Sequence, residues 1–384
     1  MNFLQNLRRD RQSLASQLDL KPRSPGLSRS ISRRSALFFV GLALSGAIAA
    51  CSDPDATSTS TDPAANAATP VAATKTVELT LVSYAVTQDA YEKIIPKFVA
   101  DWKAKTGQTV VFDQSYGGSG SQTRAVLDGL EADVVALALA LDTKKLEEGG
   151  LIEPGWEQEA PNDSIVTKSV AALVTREGNP KGIKGWKDLS RDDVQVITAN
   201  PKTSGGARWN YLALWGQAAE NGGEASAQEY VTKVYSGVPV LPKDAREASD
   251  VFYQRKQGDV LINYENEVLL AAQKGEVQPY IVPDVNISID NPVAVVDANV
   301  DKHNTREVAE AFVAYLFTPE AQKEFASSGF RPVDTDVSKE FAKQYPPVGK
   351  LFTVSDLGGW DGVQTKFFDD GAEFDKIEAK IGQR

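Results

Sequence analysis

The chain has 384 residues, with 41 Lys and Arg against 52 Asp and Glu and a single cysteine and histidine. Eight of the basic and two of the acidic side chains fall in the first fifty residues, so residues 51–384 carry 33 against 50, a net charge of −17. That balance argues against a nucleic acid or an anionic membrane surface as partner, one cysteine leaves no intramolecular disulfide, and the length is ample for two apolar cores.

Residues 1–50 are read as an export signal rather than as part of the fold. A basic start leads to fifteen almost wholly apolar residues, Ala36 to Ala50, too short and too rich in small side chains for a membrane span. Ser32-Arg33-Arg34-Ser35-Ala36-Leu37-Phe38 resembles a twin-arginine signal, and a Sec signal would share its basic start. Ile48-Ala49-Ala50-Cys51 is similar to a bacterial lipoprotein cleavage box, which implies a mature chain starting at Cys51 with lipid on that residue. An ordinary secretory peptide with a chance cysteine is the alternative. Residues 51–76 are dominated by Ser, Thr, Asp, Ala and Pro and read as a flexible tether.

From Val77 the pattern becomes that of an α/β protein. Val77–Val82 alternates as a strand, and Tyr91, Ile94, Ile95, Phe98, Val99 and Trp102 recur at helical spacing. Val110–Phe112 is strand-like, a helix follows Ser119, and Ala132–Leu139 is apolar enough for a strand covered on both faces. A second series follows, with strands at Val170–Val174 and Val194–Thr198 and helices at Ala207–Ala219 and Gln228–Val234. Further strands are expected at Val238–Leu241, Val260–Asn263 and Val293–Val296, then helices at Arg306–Phe317 and Pro319–Ala326. Two doubly wound α/β lobes with a cleft between them account for this order, one large enzyme domain being the alternative. The expected division is 77–165 for the first part of lobe I, 166–284 for lobe II, and 285–384 for the rest of lobe I with the C-terminal helices.

Two runs carry chemistry. Tyr116-Gly117-Gly118-Ser119-Gly120 and Ser204-Gly205-Gly206 each stand where a strand hands over to a helix. Helix N-termini leave N–H groups unpaired, and glycine lets a ligand approach them, so such a turn can grip a small anion without a cation. Ser204 is placed to cap its helix and to face a ligand with the same hydroxyl. An ordinary Ser/Gly turn is the competing reading for either run alone, and a matching pair on opposite lobes favours an anion cleft. His303 sits in a polar stretch without a second histidine and reads as a solvated loop residue. Arg208 is suited to anchoring its segment on a carboxylate, Trp209 to packing. Glu265 and Glu267 have no metal-ligand company, and Lys202 lacks the Walker order of glycines, lysine and hydroxyl.

The run Asn200-Pro201-Lys202-Thr203-Ser204-Gly205-Gly206-Ala207-Arg208-Trp209-Asn210, with Ser83-Tyr84, Tyr116–Gly120, Ala132–Leu139, Tyr264-Glu265-Asn266-Glu267 and Gly358-Gly359-Trp360 in the same order, resembles the sulfate-binding proteins of bacterial ATP-driven sulfate and thiosulfate importers. The resemblance covers residues 77–384 and implies a two-lobed periplasmic binding protein fold of type II. It further implies a monomer that closes over one dehydrated sulfate ion with neutral groups only, needs no cofactor or metal, and delivers the ion to a membrane permease and its ATPases. Carried over position by position, Ser119 and Ser204 would donate from hydroxyl or backbone, Gly205, Gly206 and Ala245 from backbone N–H, with Arg246 in support behind them. Two positions depart from the pattern. Ala85 stands where Asp often follows Ser-Tyr and offers no side-chain contact, and Tyr264 stands where Trp often donates, offering O–H from a different angle. Thiosulfate or another tetrahedral oxyanion, an anion sensor that does not transport, and an enzyme acting on sulfate esters remain as alternatives. No nucleophile or acid/base pair supports the last of these.

Overall fold

The computed structural model describes residues 76–345 and 347–382. The export signal, Cys51 and all of the tether but its last residue lie outside the described residues. The first sheet is built on β1 (Thr76–Tyr84), whose C-terminal half is buried, flanked in parallel by β2 (Thr109–Gly117) and β3 (Val134–Ala136). Helices α1 (Gln88–Thr106) and α2 (Ser119–Leu127) follow the first two of these strands. The expected strand at Ala132–Leu139 is buried throughout, although its ladder spans only β3. Helix α3 (Ala140–Glu148) and β4 (Ile165–Ser169) complete this stretch of chain.

The chain then leaves the first sheet at Val170. The second sheet contains β5 (Ala171–Thr175), β6 (Val196–Ile197), β7 (Val260–Tyr264) and β8 (Tyr280–Ile281), in the order β6-β7-β5-β8. Its helices are α4 (Gly205–Ser236), α5 (Ala245–Tyr253) and α6 (Glu265–Gln273). The two helices expected between 207 and 234 are joined as α4, broken only at Gly223, whose φ of 75° and ψ of −176° leave the helical region. After β9 (Val285–Ile287), which pairs with β12 (Lys350–Phe352), the chain returns to the first sheet as β10 (Ile289–Val295) and β11 (Arg331–Pro332). Strand β10 runs antiparallel to both β3 and β4, so the first sheet is mixed, in the order β11-β4-β10-β3-β1-β2. The result is the two-lobed α/β architecture, with mixed sheets.

The lobes bury what the periodicity marked. Tyr91, Ile94 and Phe98 of α1 are almost fully covered, each contributing about 1.5–3 kcal/mol on burial. The helix stops at Gly107, whose φ of 74° an L side chain rarely adopts and whose N–H reaches Lys103 O at 2.9 Å. Val238–Leu241 does not form the expected strand. Pro239 and Pro242 remove two donors from a ladder there, and Val240 is exposed.

His303 is a second departure. It ends the helix Asp297–His303 instead of lying in a solvated loop, with Nδ1 2.9 Å from Asp133 Oδ1 and Nε2 2.9 Å from Glu131 Oε2. Asp133 also accepts from Thr80 N at 2.7 Å and from the Thr305 hydroxyl at 2.6 Å, tying this corner to β1. Hydrogen bonds to Glu131 and then Asp133 raise the His303 pKa above its ordinary value. The charged imidazole therefore stabilises the fold below about pH 6.5, and that contribution is lost as pH rises through the higher folded-state pKa. The wild type should exceed His303→Gln in thermal unfolding temperature at about pH 5.5, with the gap shrinking by about pH 8.5. A pH-independent gap would contradict this role for the charge.

Candidate functional site

Four chain segments with free helix N-termini meet between the lobes. From the first sheet, β1 runs into a turn at Ala85–Thr87 that continues as α1, and β2 runs through Gly118, the N-cap of α2. From the second, Ser204 caps α4 and Asp244 caps α5. All four border one small cavity lined mostly by buried residues, with Tyr264 as a further wall. About 10 Å³ of it is open to a water-sized sphere, far below ordinary organic-ligand pockets, so only a small ligand fits. First-turn residues such as Ala85, Ser119, Gly205, Gly206 and Ala245 have N–H groups without a helical acceptor, and the dipoles of all four helices favour negative charge there. Among the described residues, no basic side chain lines the cavity.

The local sequence explains each placement. Ser204 is extended, with φ −111° and ψ 120°, and its Oγ accepts from Ala207 N at 3.2 Å, leaving the O–H to donate elsewhere. Asp244 Oδ1 accepts from Glu247 N at 2.8 Å, which commits this oxygen of the wall's carboxylate to capping. Ser119 differs from Ser204. Its hydroxyl donates to Asp142 Oδ2 at 2.6 Å and accepts from Ala138 N at 3.0 Å, so its one proton is already engaged and only the backbone N–H is available to a ligand. Tyr264 is buried, and its hydroxyl has no hydrogen-bond partner among the described residues. Burial, then the Asp142 and Glu267 charges, push its pKa well above the ordinary value, so it stays a protonated donor.

Glycine is required where the lobes touch. A Cβ on Gly205 would lie 2.6 Å from Ala138 Cβ and 3.1 Å from Ser119 Cβ, both on the opposite lobe. One on Gly118 would lie 2.5 Å from Thr203 O, again across the cleft, and one on Gly206 would meet the Tyr264 ring at 2.6 Å. Polar contacts accompany this approach. Trp209 Nε1 donates to Ala138 O at 2.8 Å, and the buried Arg208 guanidinium lies 3.7 Å from Asp142 and donates to Pro201 O at 2.9 Å. Trp209 also packs edge-on to Trp360, 5.0 Å between centroids, after Gly358 and Gly359, which hold φ values of 98° and 75°.

The sequence-derived residues Ser119, Ser204, Gly205, Gly206, Ala245 and Tyr264 are thus brought together on one cavity. Arg246 lies outside this wall, bonded to Glu267 and 3.0 Å from Asp89 on α1. Burial opposes its charge, and Glu267 and Asp89 more than offset that, holding its pKa above the ordinary value. Glu265 is paired with Arg331 at 2.7 Å, so neither buried glutamate of α6 is free for acid/base work. Sequence reasoning missed Ala85 as a donor, because it weighed the side chain alone, and Tyr84, Val86 and Ala138 as walls. The β1-to-α1 handover was the available signal for Ala85.

Removing the Ser119 hydroxyl should destabilise the fold, since Asp142 and Ala138 N both lose a buried partner. Chemical unfolding of Ser119→Ala is expected to show a loss of about 1–3 kcal/mol. Wild-type stability would contradict the hydrogen-bonding role described above.

The family model for bacterial extracellular solute-binding proteins matches residues 79–331. A sulfate-binding protein of Synechocystis sp. is 59% identical over 347 residues, covering 90% of this chain and 97% of that protein. A thiosulfate-binding protein of Pseudomonas aeruginosa is 40% identical over 301 residues, covering 77% and 90%. The solved structure of the sulfate-binding protein SubI from Mycobacterium tuberculosis superposes with a TM-score of 0.70 at 37% identity, covering 76% of this chain and all of that one. With this extent of similarity along both lobes, the chain belongs to the bacterial extracellular solute-binding proteins and, within them, to the sulfate-binding protein family.

Proposed function

We propose that this chain binds sulfate in the cleft, outside the cytoplasm, and delivers it to an ATP-driven importer formed by a membrane permease and ATPase subunits. The carrying observation is the small cavity bordered by four helix N-termini and, among the described residues, no basic side chain. Ser204 donates through its hydroxyl, Ser119, Gly205, Gly206, Ala245 and Ala85 through backbone N–H, and Tyr264 through its O–H. Thiosulfate is the second reading, favoured by the similarity to a thiosulfate-binding protein. Binding and release are mechanical rather than catalytic: opening the lobes returns water to an anion that closure had desolvated. The exported chain acts as a monomer held at the membrane by lipid on Cys51, and an intact mass lacking added lipid would refute that anchor.

Sulfate at neutral pH only accepts hydrogen bonds, whereas phosphate retains a proton that needs an acceptor. A buried proton without one costs roughly 1–3 kcal/mol. Calorimetric titration should therefore find sulfate bound about tenfold or more tighter than phosphate, with thiosulfate as the competitor. Phosphate binding of equal strength would overturn the assignment.

Gly205→Ala tests the site itself. The added methyl collides with Ala138 across the cleft, so each lobe folds while closure is impeded. Overpacking of about 1–3 kcal/mol corresponds to roughly 5- to 150-fold weaker anion binding. Unchanged affinity would remove the helix α4 terminus from the site.

A further inference from the structure

We propose that Arg124 and Lys243 form a cationic mouth to the cleft that draws the anion in before the lobes close. This rests on the anion-binding reading above and concerns a step that the neutral cavity cannot perform. Residues 51–384 carry a net charge of −17, so an approaching dianion meets a repulsive mean field. Short-range backbone donors act only on contact.

Three segments meet at the seam beside the cavity, and each carries a cation. Gly118 at the start of α2 lies against Thr203 O and Lys243 O of the other lobe, and the Thr203 hydroxyl donates to Lys243 O at 2.6 Å. Arg124 stands on α2 and reaches across to Lys202 O, with Nη1 at 3.4 Å, while Nη2 meets the Ser121 hydroxyl at 3.1 Å. Lys202 is two residues before the cap Ser204, and Lys243 is the residue before the cap Asp244. Cations next to helix N-termini oppose the helix dipole, so helix stability does not account for these two lysines.

The local charge balance then decides which cations act at a distance. Lys202 is ion-paired with Asp375 at 2.5 Å. Of the carboxylates near the seam, Glu247 is matched with Arg255 at 3.8 Å and Asp89 with Arg246 and Lys274 at 3.0 and 2.6 Å, while the buried Asp244 beside Lys243 caps α5 through Oδ1 and has no ion pair among the described residues. Arg124 and Lys243 are exposed, and neither has a carboxylate partner among the described residues. Two exposed cations against the one unpaired carboxylate of Asp244 leave the seam locally positive, on a chain that is acidic as a whole. Of the pair, only Arg124 also touches the opposite lobe with its side chain, so it slows reopening as well as attracting the ion.

Stopped-flow tryptophan fluorescence of the mature chain, using sulfate or whichever oxyanion calorimetry finds to bind, separates these effects. At low salt, Lys243→Gln should slow association about threefold and leave dissociation unchanged, and Arg124→Gln should slow association similarly while speeding dissociation. The double variant should associate about tenfold slower, with a flatter dependence of association rate on chloride concentration. Arg124→Lys should restore the association rate and not the slow dissociation. Association rates that are insensitive to salt in the wild type, or unchanged in the double variant, would overturn the mouth and leave the anion site standing. Failure of the wild type to bind any tetrahedral oxyanion would overturn both.

Discussion

The convergence of four helix N-termini on one small space is the interaction on which the rest of this structure depends. Each terminus behaves roughly as half a positive charge, so four together offer about two, set against the single Asp244 carboxylate in the wall. Inside a closed cleft these partial charges are not screened by water, and they are fixed in place by the helices that carry them. A lysine in the same position would be a full charge needing its own desolvation. Backbone donors incur no such cost, and they cannot accept a proton from a ligand.

That arrangement dictates where glycine must occur. The termini can face one another only if the two lobes approach to backbone contact, and Gly118 and Gly205 are the points at which a single methyl would prevent it. The remaining cross-lobe contacts include polar ones, Trp209 to Ala138 O, Arg208 to Asp142 and Arg246 to Asp89, beside apolar ones such as the Tyr84 and Tyr264 rings. Water can replace such contacts when the cleft opens, whereas a wholly apolar seam would hold it shut. A cleft that must both hide an ion and let it go is served by this balance.

The elements were largely legible because apolar periodicity and the Ser/Gly handovers are local signals. What failed was local as well. Val238–Leu241 reads as a strand on its valines and leucine, yet Pro239 within it and Pro242 just after it cannot complete a ladder. His303 has no sequence neighbour that announces Glu131 and Asp133, which lie some 170 positions earlier and reach it only because its helix is hydrogen-bonded to the segment before β3. Ser119 looked equivalent to Ser204 because both precede a helix in a glycine-rich turn. Asp142, which takes the Ser119 proton, stands on a different helix.

The sequence by itself determined the two α/β halves, the donor-rich turns and the character of the ligand as a small oxyanion, because each depends on residue type and spacing within one segment. Only the tertiary structure decided which turns line the same cavity, that Ala85 lies among them, that the Ser119 hydroxyl is already engaged, and which cations at the seam lack a carboxylate partner among the described residues. Those properties depend on distances between segments that lie far apart in the chain, and the packing of one lobe on the other sets them.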